Sequence, residues 1–251
     1  MSTPTFRLDD KVAVITGGSK GLGRAMALGF AERGADVVVA SRKLEPCEEV
    51  AAEIRALGRR ALAVSCHVAD WAQCQSLVDQ TVAEFGRIDV LVNNAGIAPV
   101  PPSLLGVTED LFDKTIAVNL KGPLRLSAIA AEHMPAGGSI INISSKASTH
   151  PSPFTVVYAA AKAGLTALTK ASSQELGPRG IRVNALVCGM FHTDSFHASI
   201  PTPDAADALA QRVTVGRIAD ADEIVGTALY LATDASAYLT GQCITLDGGG
   251  A

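Results

Sequence analysis

The chain has 251 residues, of which 48% are hydrophobic and 18% charged, and its net charge is −4. That length suits one large domain or two small ones with a sizeable core, and the charge balance excludes the basic footprint of a nucleic-acid binder. No apolar run reaches membrane-span length, and MSTPTFRLDD lacks a signal-peptide core.

Cys47, Cys66, Cys74, Cys188 and Cys243 are scattered and form no CxxC, and the histidines do not join them at zinc spacing. The expectation is a cytoplasmic protein with no disulfide framework and no metal.

In chain order, KVAVITGG (11–18) reads as a buried strand and GRAMALGFAERG (23–34) as a helix with a glycine stop. Strand 35–41, helix 45–58, strand 60–68, helix 71–86 and strand 88–96 follow. A long helix is predicted over 108–134, then strand 138–145, helix 156–177 and strand 181–189. Helix 222–233 and strand 242–249 close the chain. Strand–helix alternation with continuously apolar strands predicts a single α/β domain over 1–251. Its sheet is parallel and doubly wound, Rossmann-like, in three α/β/α layers. Only 189–221 resists assignment; a long irregular insertion of this kind suits a binding loop that closes over a ligand.

TGGSKGLG (16–23) lies between the first strand and the first helix. Gly17, Gly21 and Gly23 remove the Cβ atoms that would keep a phosphate from the backbone. Ser19, Lys20 and Leu22 complete the loop, and the helix start offers free N–H groups. At the first βα turn of such a fold, a dinucleotide pyrophosphate fits. After the second strand the sequence runs VVVASRK (37–43), so Ser41 stands where an acidic residue would grip a ribose 2′-hydroxyl, and Arg42 and Lys43 follow. Cations without a carboxylate favour a 2′-phosphate, hence NADP(H), with NAD(H) as the alternative.

VVYAAAKAG (156–164) sets Tyr158 and Lys162 four residues apart, on one face of the predicted helix. A phenol beside an ammonium is either a surface pair or an acid tuned by a cation. With TGGSKGLG, NNAG (93–96), Asn119 in VNLKG and Ser145 in INISS, this stretch resembles the single-domain branch of the short-chain dehydrogenase/reductase family. The resemblance runs over essentially the whole chain. It implies hydride transfer between nicotinamide and a carbonyl or secondary alcohol. Tyr158 would be the general acid/base and Lys162 the residue that lowers its pKa and contacts the nicotinamide ribose. Ser145 would hold the carbonyl oxygen, and Asn119 would position a water of the proton relay. Asn93, Asn94, Ala95 and Gly96 would line the cofactor; Gly189, Phe191 and Thr193 would meet the nicotinamide half. The resemblance also implies a homotetramer, with contacts through 108–134, 156–177 and GQCITLDGGG.

Two positions depart from the family pattern. His67 in SCHVAD (65–70) stands where an Asp usually meets the adenine amino group, leaving a neutral imidazole nitrogen to accept and the Val68 backbone beside it. Cys188 in VCGMFHT (187–193) replaces a proline, which frees φ at the base of the loop. It reads either as a small buried hydrophobe or as a thiol near the nicotinamide.

Ile97, Ala147, His150, Phe154, Met190, Phe191 and Phe196 are the expected substrate pocket. Their apolar majority predicts a largely hydrophobic ketone or 3-oxoacyl-type substrate. The alternatives are an NAD-linked alcohol dehydrogenase of sugar or steroid type and a redox-inert dinucleotide-binding sensor. A small-molecule carbonyl or alcohol is the expected partner, with neither nucleic acid nor membrane.

Overall fold

A computed structural model describes residues 6–199 and 202–250. Seven strands, β1 Val12–Thr16, β2 Asp36–Ser41, β3 Ala61–Ser65, β4 Val90–Asn93, β5 Ser139–Ser145, β6 Arg182–Cys188 and β7 Cys243–Leu246, form one sheet in the order β3-β2-β1-β4-β5-β6-β7. Every pairing is parallel. The helices are α1 Gly21–Glu32, α2 Leu44–Ala56, α3 Trp71–Phe85, α4 Glu109–Ile116, α5 Gly122–Ala131, α6 Val156–Leu176, α7 Asp194–Ser199, α8 Pro203–Ala210 and α9 Ile224–Ala232.

Strand alternation divides the core in two. Ala13, Ile15, Val37, Val39, Val90, Val92 and Ile141 pack with Met26 and Phe30 of α1, Ile54 of α2 and Leu229 of α9. Their neighbours Val14, Val38, Val64, Leu91 and Ile140 pack on the other face with Leu77 of α3, Leu126 of α5 and Leu176 of α6. This is why the strands read as continuously apolar: both faces are covered. The strand order reverses between β1 and β4, and in such a sheet the crevice beyond the carboxyl ends at that point is the ligand site.

The predicted helix over 108–134 is one helical stretch with a π turn in it. A π turn over Ala117–Lys121 joins α4 to α5. Its cause is visible at Asn119, whose Nδ2 takes the Thr115 carbonyl at 2.9 Å, a place the regular ladder gives to a backbone N–H. The segment 189–221 is also more ordered than expected. It carries α7 and α8, and Phe191 pairs with Ala219 as an isolated parallel bridge. The short helices escape sequence reading because neither repeats an apolar stripe long enough to set a period.

Candidate active site

The glycine loop is tied to the end of β4. Asn94 Nδ2 donates to the Thr16 carbonyl at 2.8 Å and the Gly17 carbonyl at 3.2 Å, and Thr16 Oγ1 accepts from the Asn94 and Ala95 amides. Gly17 takes φ +64, and a Cβ there would lie 2.9 Å from Asn94 Nδ2. Gly23 has a different task. A Cβ on it would run into the Gly17 carbonyl, so it lets α1 close onto the loop and does not itself wall the crevice. No side chain caps the start of α1, where Lys20 is the N-cap and the first turn holds no acid. By contrast, the Asp70 carboxylate caps α3 by accepting from Ala72 and Gln73. The first amides of α1 are therefore open to an anion.

A cavity of about 540 Å³ runs along these strand ends. Ser41, Arg42, Cys66, His67 and Val68 form one end of the wall. Gly17, Ser19, Lys20, Gly21 and Leu22 line its middle, with Asn94, Ala95 and Gly96. Ser145, Tyr158, Lys162, Gly189, Phe191 and Thr193 also line it, as do Ile97, Ala147, Met190 and Phe196 of the expected substrate pocket.

Several expected residues lie elsewhere. His150 and Phe154 are exposed on the turns after β5, off the cavity wall; His150 Nδ1 pairs with its neighbour Thr149 Oγ1 at 3.0 Å. Lys43 is exposed at the start of α2, also off the wall. Asn93 is buried away from it, donating to Ser127 Oγ at 3.1 Å and Asn142 Oδ1 at 2.8 Å. Lys20 is not free to act as a lone cation: its Nζ is 3.3 Å from Asp194 Oδ2, across the crevice on α7. Arg42 makes no ion pair among the described residues, and its carbonyl accepts from Ser65 Oγ at 3.1 Å.

The proton-handling groups meet where β5 ends against α6. Lys162 is 4% exposed, and its Nζ donates to the Ile143 carbonyl at 2.7 Å. That carbonyl is a partner no side-chain motif could signal. Ser144 Oγ holds the Lys162 carbonyl at 3.3 Å. Ser145 Oγ accepts from the Ala147 amide at 3.2 Å, and Ser145 and Tyr158 both line the cavity. Asn119 stands behind the wall. Its Nδ2 donates to the Ile97 carbonyl at 2.8 Å while its Oδ1 accepts from the Ile97 amide at 3.2 Å, so its side chain anchors the loop beneath the substrate space.

Burial governs the acidities. It lowers the Lys162 ammonium to about 8, and it raises the Tyr158 phenol above its ordinary value despite the neighbouring Ser145 hydroxyl. The expected direction for the tyrosine is thus reversed. Desolvation of the buried phenol is the largest influence on it and outweighs what favours its ionised form. Burial also pushes the Cys188 thiol up to about 12. Cys188 walls the cavity as a neutral, small, apolar group, not as a thiolate.

A family model described as enoyl-(acyl carrier protein) reductase matches residues 17–250. The chain belongs to the short-chain dehydrogenase/reductase family. D-threitol dehydrogenase of Mycolicibacterium smegmatis is 37% identical over 246 residues, which is 97% of this chain and 94% of that protein. A short-chain dehydrogenase from Burkholderia cenocepacia, solved in complex with NADP, superposes with TM-score 0.91 at 37% identity, covering 97% of this chain and 98% of that one. A 7α-hydroxysteroid dehydrogenase, solved with NADH and 7-oxo glycochenodeoxycholic acid, superposes with TM-score 0.95 at 31% identity over 100% of this chain and 98% of its own. As a short-chain dehydrogenase/reductase the protein is an NAD(P)-dependent oxidoreductase. No helix among the described residues is long and apolar enough to cross a membrane.

Proposed function

We propose that this enzyme is an NADP(H)-dependent reductase of a largely apolar ketone or 3-oxoacyl-type compound. The observation that carries the reading is the composition of the two ends of the cavity: Ser41 and Arg42 at one, with no carboxylate, and Ser145, Tyr158 and Lys162 at the other. Arg42 would hold a 2′-phosphate, the glycine-loop backbone and the open start of α1 the pyrophosphate, and Asn94, Ala95, Gly189 and Thr193 the nicotinamide half. The nicotinamide, when bound, supplies the hydride to the carbonyl carbon. Tyr158 gives its proton to the carbonyl oxygen, a task suited to a phenol that stays protonated at neutral pH. Ser145 donates a hydrogen bond to the same oxygen as negative charge develops there. Lys162, fixed by Ile143, keeps a positive charge beneath that oxygen. Asn119 keeps the Ile97 loop in place. Ile97, Ala147, Met190 and Phe196 favour an apolar substrate body.

Fluorescence titration with NADPH and NADH in parallel tests the cofactor. NADPH should bind more tightly, and Arg42→Ala should weaken it by about tenfold or more while NADH changes little, as expected for loss of a charge-assisted bond to phosphate. Equal losses would favour the second reading, an NAD-linked sugar, polyol or steroid dehydrogenase. That reading draws on the Lys20–Asp194 pair, which engages one of the cations expected at the phosphate end of the cavity, and on the likeness to D-threitol dehydrogenase. Tyr158→Phe should bind cofactor normally and lose most turnover; retained turnover would remove Tyr158 from the proton step, and a wild-type protein that binds cofactor but turns over no carbonyl or alcohol would leave a redox-inert sensor.

A further inference from the structure

We propose that Lys146 and Asp247 are positioning residues for the reaction: their ion pair ties the end of β5 to the end of β7 and so fixes Ser145 relative to Gly189. The inference rests on the reductase reading above, which gives Ser145 its use. Strand register places the pair. Ser145 lies beside Cys188, and Cys188 beside Leu246, so the next residues of the three strand ends are Lys146, Gly189 and Asp247. The middle one has no room for a side chain: a Cβ on Gly189 would lie 2.6 Å from Asp247 Cα and 2.7 Å from Asp247 Cβ. Across that row, Lys146 Nζ comes to 3.3 Å from Asp247 Oδ2.

Neither Lys146 nor Asp247 lines the cavity, whereas Ser145, Cys188 and Gly189 do. The two side chains are only 19% and 15% exposed, so salt and water screen this pair less than the surface pairs. Both partners are also fixed to backbone. The Lys146 carbonyl accepts from the Thr149 amide at 3.0 Å and the His150 amide at 2.9 Å, so Lys146 anchors the turn that Ser145 caps. Asp247 Oδ1 accepts from the Gly249 amide at 3.0 Å, and the Leu246 carbonyl before it accepts from the Gly189 amide at 2.9 Å. In the sheet β6 separates β5 from β7. The ion pair is therefore a side-chain tie across β6, and it confines the Cys188–Gly189 end between two anchored neighbours. A hydroxyl that must meet charge as it develops on a substrate oxygen loses much of its effect on small displacements, which gives such a tie a catalytic consequence.

The test joins kinetics to thiol labelling. Lys146→Met and Asp247→Asn should each lower kcat for NADPH-dependent reduction of phenanthrenequinone, an apolar diketone, by about tenfold or more, with KM and the NADPH dissociation constant within about twofold of wild type. Lys146→Met serves alone if Asp247→Asn does not fold. Lys146→Arg keeps the charge and suits a carboxylate, and should restore most of kcat. Without dinucleotide, N-ethylmaleimide should label Cys188 several-fold faster in Lys146→Met than in wild type. Cys47 and Cys74, fully buried in the two core clusters, should label as before. Unchanged kcat, unchanged Cys188 labelling, or a loss that Lys146→Arg does not repair overturns the proposal. Faster labelling of all three thiols also overturns it, since that reports general loosening. A wild-type protein that binds NADPH but reduces no ketone overturns the reductase reading instead, and the Cys188 labelling then decides whether the pair holds the strand ends.

Discussion

An ammonium inside a protein has exchanged its hydration for a few fixed dipoles. For Lys162 the partner is the Ile143 carbonyl, and burial lowers its pKa to about 8 from an ordinary 10.5. The consequence for stability has a definite sign. Between those two values the unfolded chain binds a proton that the folded chain has released, so the Lys162 contribution to unfolding free energy rises with pH across that window. Below about 8 the penalty is fully present; above 10.5 it is gone. Replacing Lys162 by Met removes it, and the variant should be the more stable below pH 8, by on the order of 3 kcal/mol. That advantage should vanish as pH rises to 10.5. Because the buried thiols titrate oppositely, with Cys188 raised to about 12 and Cys47 to about 11, the quantity to measure is the wild-type minus variant difference in denaturant melts. A pH-independent difference would contradict a charged, buried Lys162. The same titration should bend kcat/KM for reduction downward near pH 8, since that parameter reports the free enzyme.

At the scale of elements, what could be read in the sequence is what each strand end carries on its own side chains. Ser145 closes β5, the glycine loop follows β1 and Asn94 follows β4, and the Tyr158–Lys162 spacing is a helix spacing that α6 realises. What escaped is carried by backbone groups or by pairs distant in the chain. The Ile143 carbonyl under Lys162 has no residue signature. Asp194 reaches Lys20 across 174 positions. The exposure of His150 and Phe154 depends on two short 3-10 turns after β5 with no periodic pattern.

The substrate segment combines both kinds of hidden contact. Its far end is clamped: Val215 donates to the Gly248 carbonyl at 3.1 Å, Thr214 Oγ1 to the Gly249 carbonyl at 2.6 Å, and His192 and Ala219 are joined at 2.8 Å. Its outer part is α7, six residues long and too short to persist alone. It is tied to the glycine loop by the exposed Lys20–Asp194 pair, worth about 1 kcal/mol at most. Added NADP⁺ should therefore slow amide exchange in peptides covering α7 several-fold and leave 213–219 nearly unchanged. Identical exchange in α7 with and without cofactor would show that this segment does not close.

For the molecule as a whole, the remaining question is what covers its exposed apolar side chains. Phe112 of α4 and Leu124 of α5 are 47% and 45% exposed, Leu104 and Leu105 of the preceding turn 66% and 97%. Single exposed apolar residues are ordinary, but these fall within one stretch of about twenty residues along the α4–α5 side, which makes a recurring contact with another copy the natural cover. The family resemblance implies a homotetramer through this helical stretch and α6. Light scattering on the eluting protein should then give the mass of four chains of 25.8 kDa. Leu124→Glu puts a charge into that contact without touching the cavity wall, which Leu124 does not line. It should shift the mass to a smaller species, as burying an unpaired carboxylate at an interface is strongly unfavourable. NADPH binding by the dissociated form should persist, because none of Leu104, Leu105, Phe112 and Leu124 lines the crevice. A wild-type protein eluting as a single chain, or a Leu124→Glu protein eluting unchanged, would mean that this face is simply solvated.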